Sequence, residues 1–282
     1  MRLDQERESS NIEDRRGMRV SRGGLAGGGI GTIVVVLIGL YFGIDPTVLL
    51  QTNVDTTPAP QSRQAGANDE MRDFVSRVLA STERTWGEIF RRNGAEYEQP
   101  KLVLFSGAVE SACGFAQAAS GPFYCPQDRK VYIDLDFFRE LRERFRAPGD
   151  FAQAYVIAHE IGHHVQNQLG TMRKVQQAQG RSERGAANAV SVRLELQADC
   201  YAGIWAGTAN RERKILEEGD VEEGLNAAAQ IGDDRIQKRT QGYVVPEGFT
   251  HGSAEQRVRW FRRGLESGDL KQCDTFSSRS VS

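Results

Sequence analysis

Five consecutive residues, His159-Glu160-Ile161-Gly162-His163, set two imidazoles four positions apart with a carboxylate beside the first. Residues four apart share one face of a helix, so both imidazoles can reach one metal ion while Glu160 meets the water that the ion activates. With four His and 22 Glu in 282 residues, chance would place this pattern only about 0.004 times per chain. A zinc ion used in this way needs a third protein ligand and an open position. Glu195 and Asp199 lie on one helical face, Glu195 as the third ligand and Asp199 as acceptor for the far nitrogen of a ligand imidazole. Their neighbours Val192, Leu194, Leu196, Ala198, Cys200, Tyr201 and Ile204 are mostly apolar, a costly setting for unpaired carboxylates. The chemistry is then metal-assisted amide hydrolysis, with one Zn²⁺ on His159, His163 and Glu195 and with Glu160 as general base.

Two further groups belong to this chemistry. His251 stands in a loop ahead of the last helix, with Arg257 six residues on, and either can donate to the oxyanion of a tetrahedral intermediate. His164 points elsewhere around its helix than the metal pair and reads as a packing or solvent residue.

The elements that must position these groups follow from pattern. Asp150 with Gln153 forms a capping-box signal at the start of the metal helix, and Gly170 suits its end. A second helix over about 188–206 carries Glu195 and Asp199, and Ser253 with Gln256 caps a final one. Apolar residues from Met71 onward recur at three- and four-residue steps, an earlier amphipathic helix. KLVLF at 101–105 and VYIDL at 131–135 read as strands. Dominant helices with few, early strands predict an α+β fold rather than alternating βαβ units.

No charge lies between Arg22 and Asp45. As a helix at about 1.5 Å per residue, that stretch reaches roughly 33 Å and can cross a hydrocarbon core of about 30 Å. Arg15, Arg16, Arg19 and Arg22 precede it and the next basic residue is Arg63, which predicts an N-terminus inside and the rest of the chain outside the cytoplasm. A cleaved secretory signal is the competing reading, with a shorter apolar region. The expected organisation is a cytoplasmic basic tail at 1–22, a single-pass transmembrane helix at 23–44, a flexible linker at 45–70 and a metallopeptidase domain at 71–282. The near balance of 36 Lys+Arg against 38 Asp+Glu gives no electrostatic reason for a nucleic-acid partner. A hydrophobic fraction of 39% excludes a wholly disordered chain.

Four cysteines permit three pairings. A short loop joining Cys113 to Cys125 leaves Cys200 with Cys273, and an oxidising compartment would keep both bridges; free buried thiols are the alternative.

In order along the chain, HEIGHHVQNQLG, LELQADCYAG and FTHGSAEQRVRWF resemble the YpfJ-type neutral zinc metallopeptidase family, as do the N-terminal anchor and its Gly-rich span. More broadly, H-E-x-x-H followed by E-x-x-x-D is similar to the gluzincins. The spacing of His251 to Arg257 is similar to the H-P-x-x-x-x-R segment of HtpX-like membrane peptidases, with Gly252 in place of Pro. The resemblance implies a zincin-like domain, a peptide or protein substrate, and a His251 that assists or occludes the metal. It also implies a strand edge that aligns substrate; residues 131–136 are the candidate, an internal core strand being the equal alternative. A catalytically silent metal-binding scaffold at the membrane and an amidase acting on cell-wall peptide are the rival functions. The intact Glu160 argues against the scaffold, because a structural zinc takes four protein ligands and needs no adjacent base.

Overall fold

The helix that bears the two metal-spaced histidines is apolar on almost every side, which is the pattern of a core element rather than a surface one. The computed structural model, which describes residues 1–18, 64–117, 121–180 and 182–277, places it there. Strand β1 (Ile12–Asp14) precedes α1 (Gln64–Arg92), β2 (Lys101–Phe105), β3 (Ala108–Ser111), β4 (Gly114–Gln117), β5 (Phe123–Cys125) and β6 (Lys130–Asp134). After them come α2 (Asp136–Glu143), α3 (Asp150–Gln168), α4 (Thr171–Gln179), α5 (Arg184–Arg213), α6 (Asp220–Gln230), α7 (Asp233–Gln241) and α8 (Ala254–Ser267). Short 3-10 turns lie at Pro246–Gly248 and Leu270–Cys273. The fold is α+β and mainly helical.

Four strands form one sheet in the order β1-β2-β6-β5, and β3 and β4 form a separate hairpin. The β1/β2 and β2/β6 pairs are parallel, while β5 runs antiparallel to β6. KLVLF is apolar without alternation because both faces of β2 are covered. Leu102 and Leu104 join the main core with α1, α3 and α5; Val103 and Phe105 pack on the other side with Val109, Ala116 and Tyr132.

Helix α3 begins at Asp150 after Gly149, and the expected cap by the Asp150 side chain is not formed. Its carboxylate takes the Met1 ammonium at 2.7 Å instead. At the other end Gly170 adopts φ +76°, the left-handed conformation expected there. Ser253 and Gln256 close the predicted capping box on α8. Helix α5 outruns its expected bounds at both ends, through 184–187 and 207–213, where Gly, Ala and charged residues carry no apolar period. Both cysteine bridges form, Cys113 with Cys125 and Cys200 with Cys273. The second ties α5, which bears Glu195, to the turn at Leu270–Cys273.

The largest departure from expectation concerns the first eighteen residues. The uncharged stretch at 23–44 lies outside the described residues, as does the expected linker up to residue 63. Residues 1–18, however, are built into the domain rather than held apart as a tail. Ile12, Glu13 and Asp14 pair with Leu102, Val103 and Leu104, and Leu3 is buried in the main core. Ser76, Ser81, Thr82, Glu83 and Thr85 of α1, polar positions that amphipathicity alone would send to solvent, are buried. The fully buried Glu83 carboxylate accepts from Arg7, Ser9 and Asn11, and Arg213 pairs with Glu6 at 2.6 Å. Two of the four arginines read as a topology signal have fold partners, Arg15 with Glu13 and Arg16 with Asp14. Arg16 also lies 4.0 Å from Asp69, which is already inside α1.

A single membrane crossing between residues 18 and 64 would put β1 and β2 on opposite sides, and a hydrogen-bonded pair of strands cannot be so divided. The expected split, tail inside and domain outside, is therefore incompatible with this fold. Among the described residues no helix is long and apolar enough to cross a membrane. Glu83→Ala is expected to lower unfolding free energy by about 2 kcal/mol, since it strips three donors of a buried acceptor. Urea titration measures that loss, and hydrogen exchange should show residues 3–14 losing protection first.

Candidate metal centre

Helix α3 sends His159, Glu160 and His163 toward α5, and the two helices approach closely at Gly162. A Cβ at that position would come within 2.9 Å of the Ala198 carbonyl oxygen, so the glycine inside the histidine pair sets the helix spacing that lets Glu195 reach across. One ligand atom from each of His159, His163 and Glu195 lies within 4.8 Å of the others. The Nε2 of His159 is 3.1 Å from one Glu195 oxygen and the Nε2 of His163 is 3.4 Å from the other.

The far nitrogens decide what such an arrangement can hold. Asp199 accepts from His159 Nδ1 at 2.8 Å. Gln166 donates its amide nitrogen to the Leu194 carbonyl and to Gln197, so its oxygen faces His163 Nδ1 at 2.9 Å as an acceptor. Both Nδ1 atoms therefore donate to an acceptor, which leaves each Nε2 facing a carboxylate oxygen. Lone pairs facing lone pairs repel unless a cation lies between them. The donor set, two imidazole nitrogens and one carboxylate oxygen, suits Zn²⁺. Without metal a proton serves that purpose: although burial opposes the charge, Asp199 and Glu195 push His159 up to about 10. Metal binding at neutral pH would displace that proton. Burial opposes ionisation of Glu195 as well, but His163 and His251 hold it well below the usual carboxylate range.

Glu160 lines the same cavity, nearly buried, with no hydrogen-bond partner for its carboxylate among the described residues. Burial pushes its pKa up. A carboxylate so placed can take and return a proton near neutral pH. His251 lines this cavity too.

Arg257 also borders the cavity, but its donors point elsewhere than an oxyanion donor requires. It is 2% exposed. Its Nε and Nη2 donate to the two oxygens of Asp199, both at 2.9 Å, and its Nη1 reaches the Ile231 carbonyl at 3.2 Å. Asp199 is thus held by a two-pronged guanidinium and by the Tyr155 hydroxyl, and in turn holds His159. Asp199 stays ionised: burial opposes the charge, and Arg257 and His159 outweigh it.

His164 is buried and structural. It takes a hydrogen bond from the Tyr124 hydroxyl at 3.1 Å and gives one to the Glu98 carbonyl at 2.6 Å, and burial pushes it down to about 4. The Tyr124 bond ties α3 to β5. The strand edge beside the cavity is β5 and not residues 131–136: β6 sits between β2 and β5, while Phe123 and Tyr124 of β5 line the cavity. The void itself measures about 260 Å³.

Three contributors were invisible to motif reading. Tyr155, one turn before His159, acts through Asp199 and not on the imidazole itself, whereas Gln166 is three residues after His163, a spacing on which a helical search for partners of Nδ1 would have found it. Asp233 accepts three backbone N–H groups from the His251 loop, a contact across 17 to 19 residues with no periodic signal.

Comparison with known proteins gives this geometry a family. The family model described as "Putative neutral zinc metallopeptidase" matches residues 1–276, the N-terminal arm included. The chain is 48% identical over 288 aligned positions to "Uncharacterized protein YpfJ" of Escherichia coli (strain K12), covering 98% of this chain and 99% of that one. It is 42% identical to "Uncharacterized protein Mb2605" of Mycobacterium bovis over 86% of each chain. No solved structure matches. With the family model running through nearly all of its length and through every residue of the centre just described, this chain belongs to the neutral zinc metallopeptidase family.

Proposed function

We propose that the protein is a zinc-dependent peptidase in which His159, His163 and Glu195 hold one Zn²⁺ and Glu160 is the general base. The observation that carries this reading is the pair of Nε2 atoms converging on the Glu195 carboxylate beside a nearly buried Glu160 that has no hydrogen-bond partner among the described residues. When bound, zinc lowers the pKa of a water and polarises the scissile carbonyl. Glu160 accepts the proton of the attacking water and returns it to the leaving amine. Asp199, gripped by Arg257 and Tyr155, keeps His159 in the tautomer that offers Nε2, and Gln166 does the same for His163. Strand β5 offers its outer edge to an extended peptide main chain, a recognition that reads little sequence. His251 faces the same cavity as the proposed donor to the oxyanion.

The arm at 1–18 and the domain work on one side, and two disulfides favour an oxidising compartment for both. The uncharged stretch at 23–44 is then the proposed membrane contact. An amidase acting on cell-wall peptide uses the same residues and differs only in what enters the cavity. The test is cleavage of casein or a quenched peptide library by the full chain loaded with zinc. Cleavage that a chelator stops and added zinc restores supports the proposal; cleavage indifferent to chelator, or none by a fully zinc-loaded chain, contradicts it.

A further inference from the structure

The loop that carries His251 is built unlike an H-P turn. Gly252 stands at φ +96°, where proline, fixed near −65°, cannot go. A Cβ there would press to 3.2 Å from Leu196 and 3.3 Å from Val192, both on the helix of Glu195. Something other than proline must therefore fix the loop, and the observed fastener is the N-terminus of α7. One Asp233 oxygen accepts the backbone N–H of Thr250 at 2.7 Å, of His251 at 2.7 Å and of Gly252 at 2.9 Å. The backbone N–H of Asp233 donates back to the Gly252 carbonyl at 2.9 Å. Its second oxygen lies 3.5 Å from His251 Nδ1, which also meets the Thr250 hydroxyl at 2.9 Å. The neighbouring Asp234 accepts the N–H of Ala254 at 2.7 Å. Asp233 is 1% exposed, and five of these contacts run from it to His251 and to the residues on either side of His251.

We infer that Asp233 is a positioning residue for the reaction, an anchor that holds His251 at the metal cavity with Nδ1 turned to its own loop and Nε2 serving the substrate. The inference rests on the peptidase reading for its catalytic consequence and on geometry alone for the anchor. A carboxylate doing this work ranks with the partners that orient metal-binding imidazoles, whose loss costs about 10- to 100-fold.

The experiment uses the full chain loaded with zinc and compares wild type, Asp233→Asn, His251→Gln and the double variant on one quenched peptide. Asp233→Asn should lower kcat by about 10- to 100-fold with KM within about threefold and zinc content unchanged. The double variant should be no worse than His251→Gln alone, since both act through one imidazole. Amide exchange at residues 250–252 should quicken by at least about tenfold in Asp233→Asn. Full kcat in Asp233→Asn, or losses that multiply in the double variant, would overturn the inference. Should Asp233→Asn not fold, Gly252→Ala displaces the same loop from the α5 side and should give the same kcat loss with zinc retained; undiminished kcat there counts against the inference. If the wild type cleaves nothing, the peptidase reading fails, and exchange alone decides the anchor: protection lost supports it and protection kept refutes it.

Discussion

Glu160→Gln is expected to reduce peptide turnover by about 10²- to 10⁴-fold, the usual contribution of a positioned general base, while zinc content stays at about one per chain. The amide of Gln fills the same volume, and because the Glu160 carboxylate has no hydrogen-bond partner among the described residues, its replacement breaks no bond there. Burial raises the Glu160 pKa, and the imidazoles of His163 and His159 beside it act in the opposite sense. Its basicity therefore lies between that of an ordinary carboxylate and that of an isolated buried one, the range a base needs to work near neutral pH. Metal analysis alongside steady-state kinetics checks the result. Loss of zinc would mean that Glu160 is a ligand, and full activity would mean that another group takes the proton.

Arg257→Ala is expected to destabilise the fold by about 3 to 5 kcal/mol, the cost of leaving a buried charge uncompensated. Asp199 would keep Tyr155 and His159 as partners but lose both prongs of the guanidinium. Arg257→Lys should recover little, because an ammonium cannot make the paired contact. Denaturant unfolding of the metal-free protein measures the loss without recourse to activity. An Arg257 that served as an oxyanion donor would show the reverse, a stable protein with lowered kcat. Unchanged stability in Arg257→Ala would return that role to it.

Some of this centre is legible in sequence because helices make chemistry periodic. His159 and His163, then Glu195 and Asp199, announce themselves at four-residue spacing, and Gly170, Ser253 and Gln256 mark helix ends by local rules that hold in the fold. The strand over Lys101–Phe105 is equally plain, since five apolar or flanking residues need only be covered on both faces. Arg257 shows where such reading stops. Its spacing from His251 suggested a shared role, yet a side chain six atoms long can border the cavity and still turn its donors elsewhere, and only the position of Asp199 decides that it does. Asp233 and the N-terminal arm were out of reach for another reason. Both act through contacts distant in sequence: Asp233 grips backbone amides of a loop, and β1 is a three-residue strand with two acidic residues, paired with a strand some 90 positions away. Charge pattern alone made Arg15 and Arg16 a topology signal; their ion pairs with Glu13 and Asp14 make them part of the fold.

The central claim is that two imidazoles and a carboxylate converge to hold zinc beside Glu160. The measurement that bears on it most directly is an anomalous-scattering crystal structure of the zinc-loaded chain. The ion should lie about 2.0 to 2.2 Å from Nε2 of His159, Nε2 of His163 and an oxygen of Glu195. Zinc seated instead among Asp150, Asp220 and Glu223, the other carboxylate cluster among the described residues, or bound with Glu195 swung away, would contradict it.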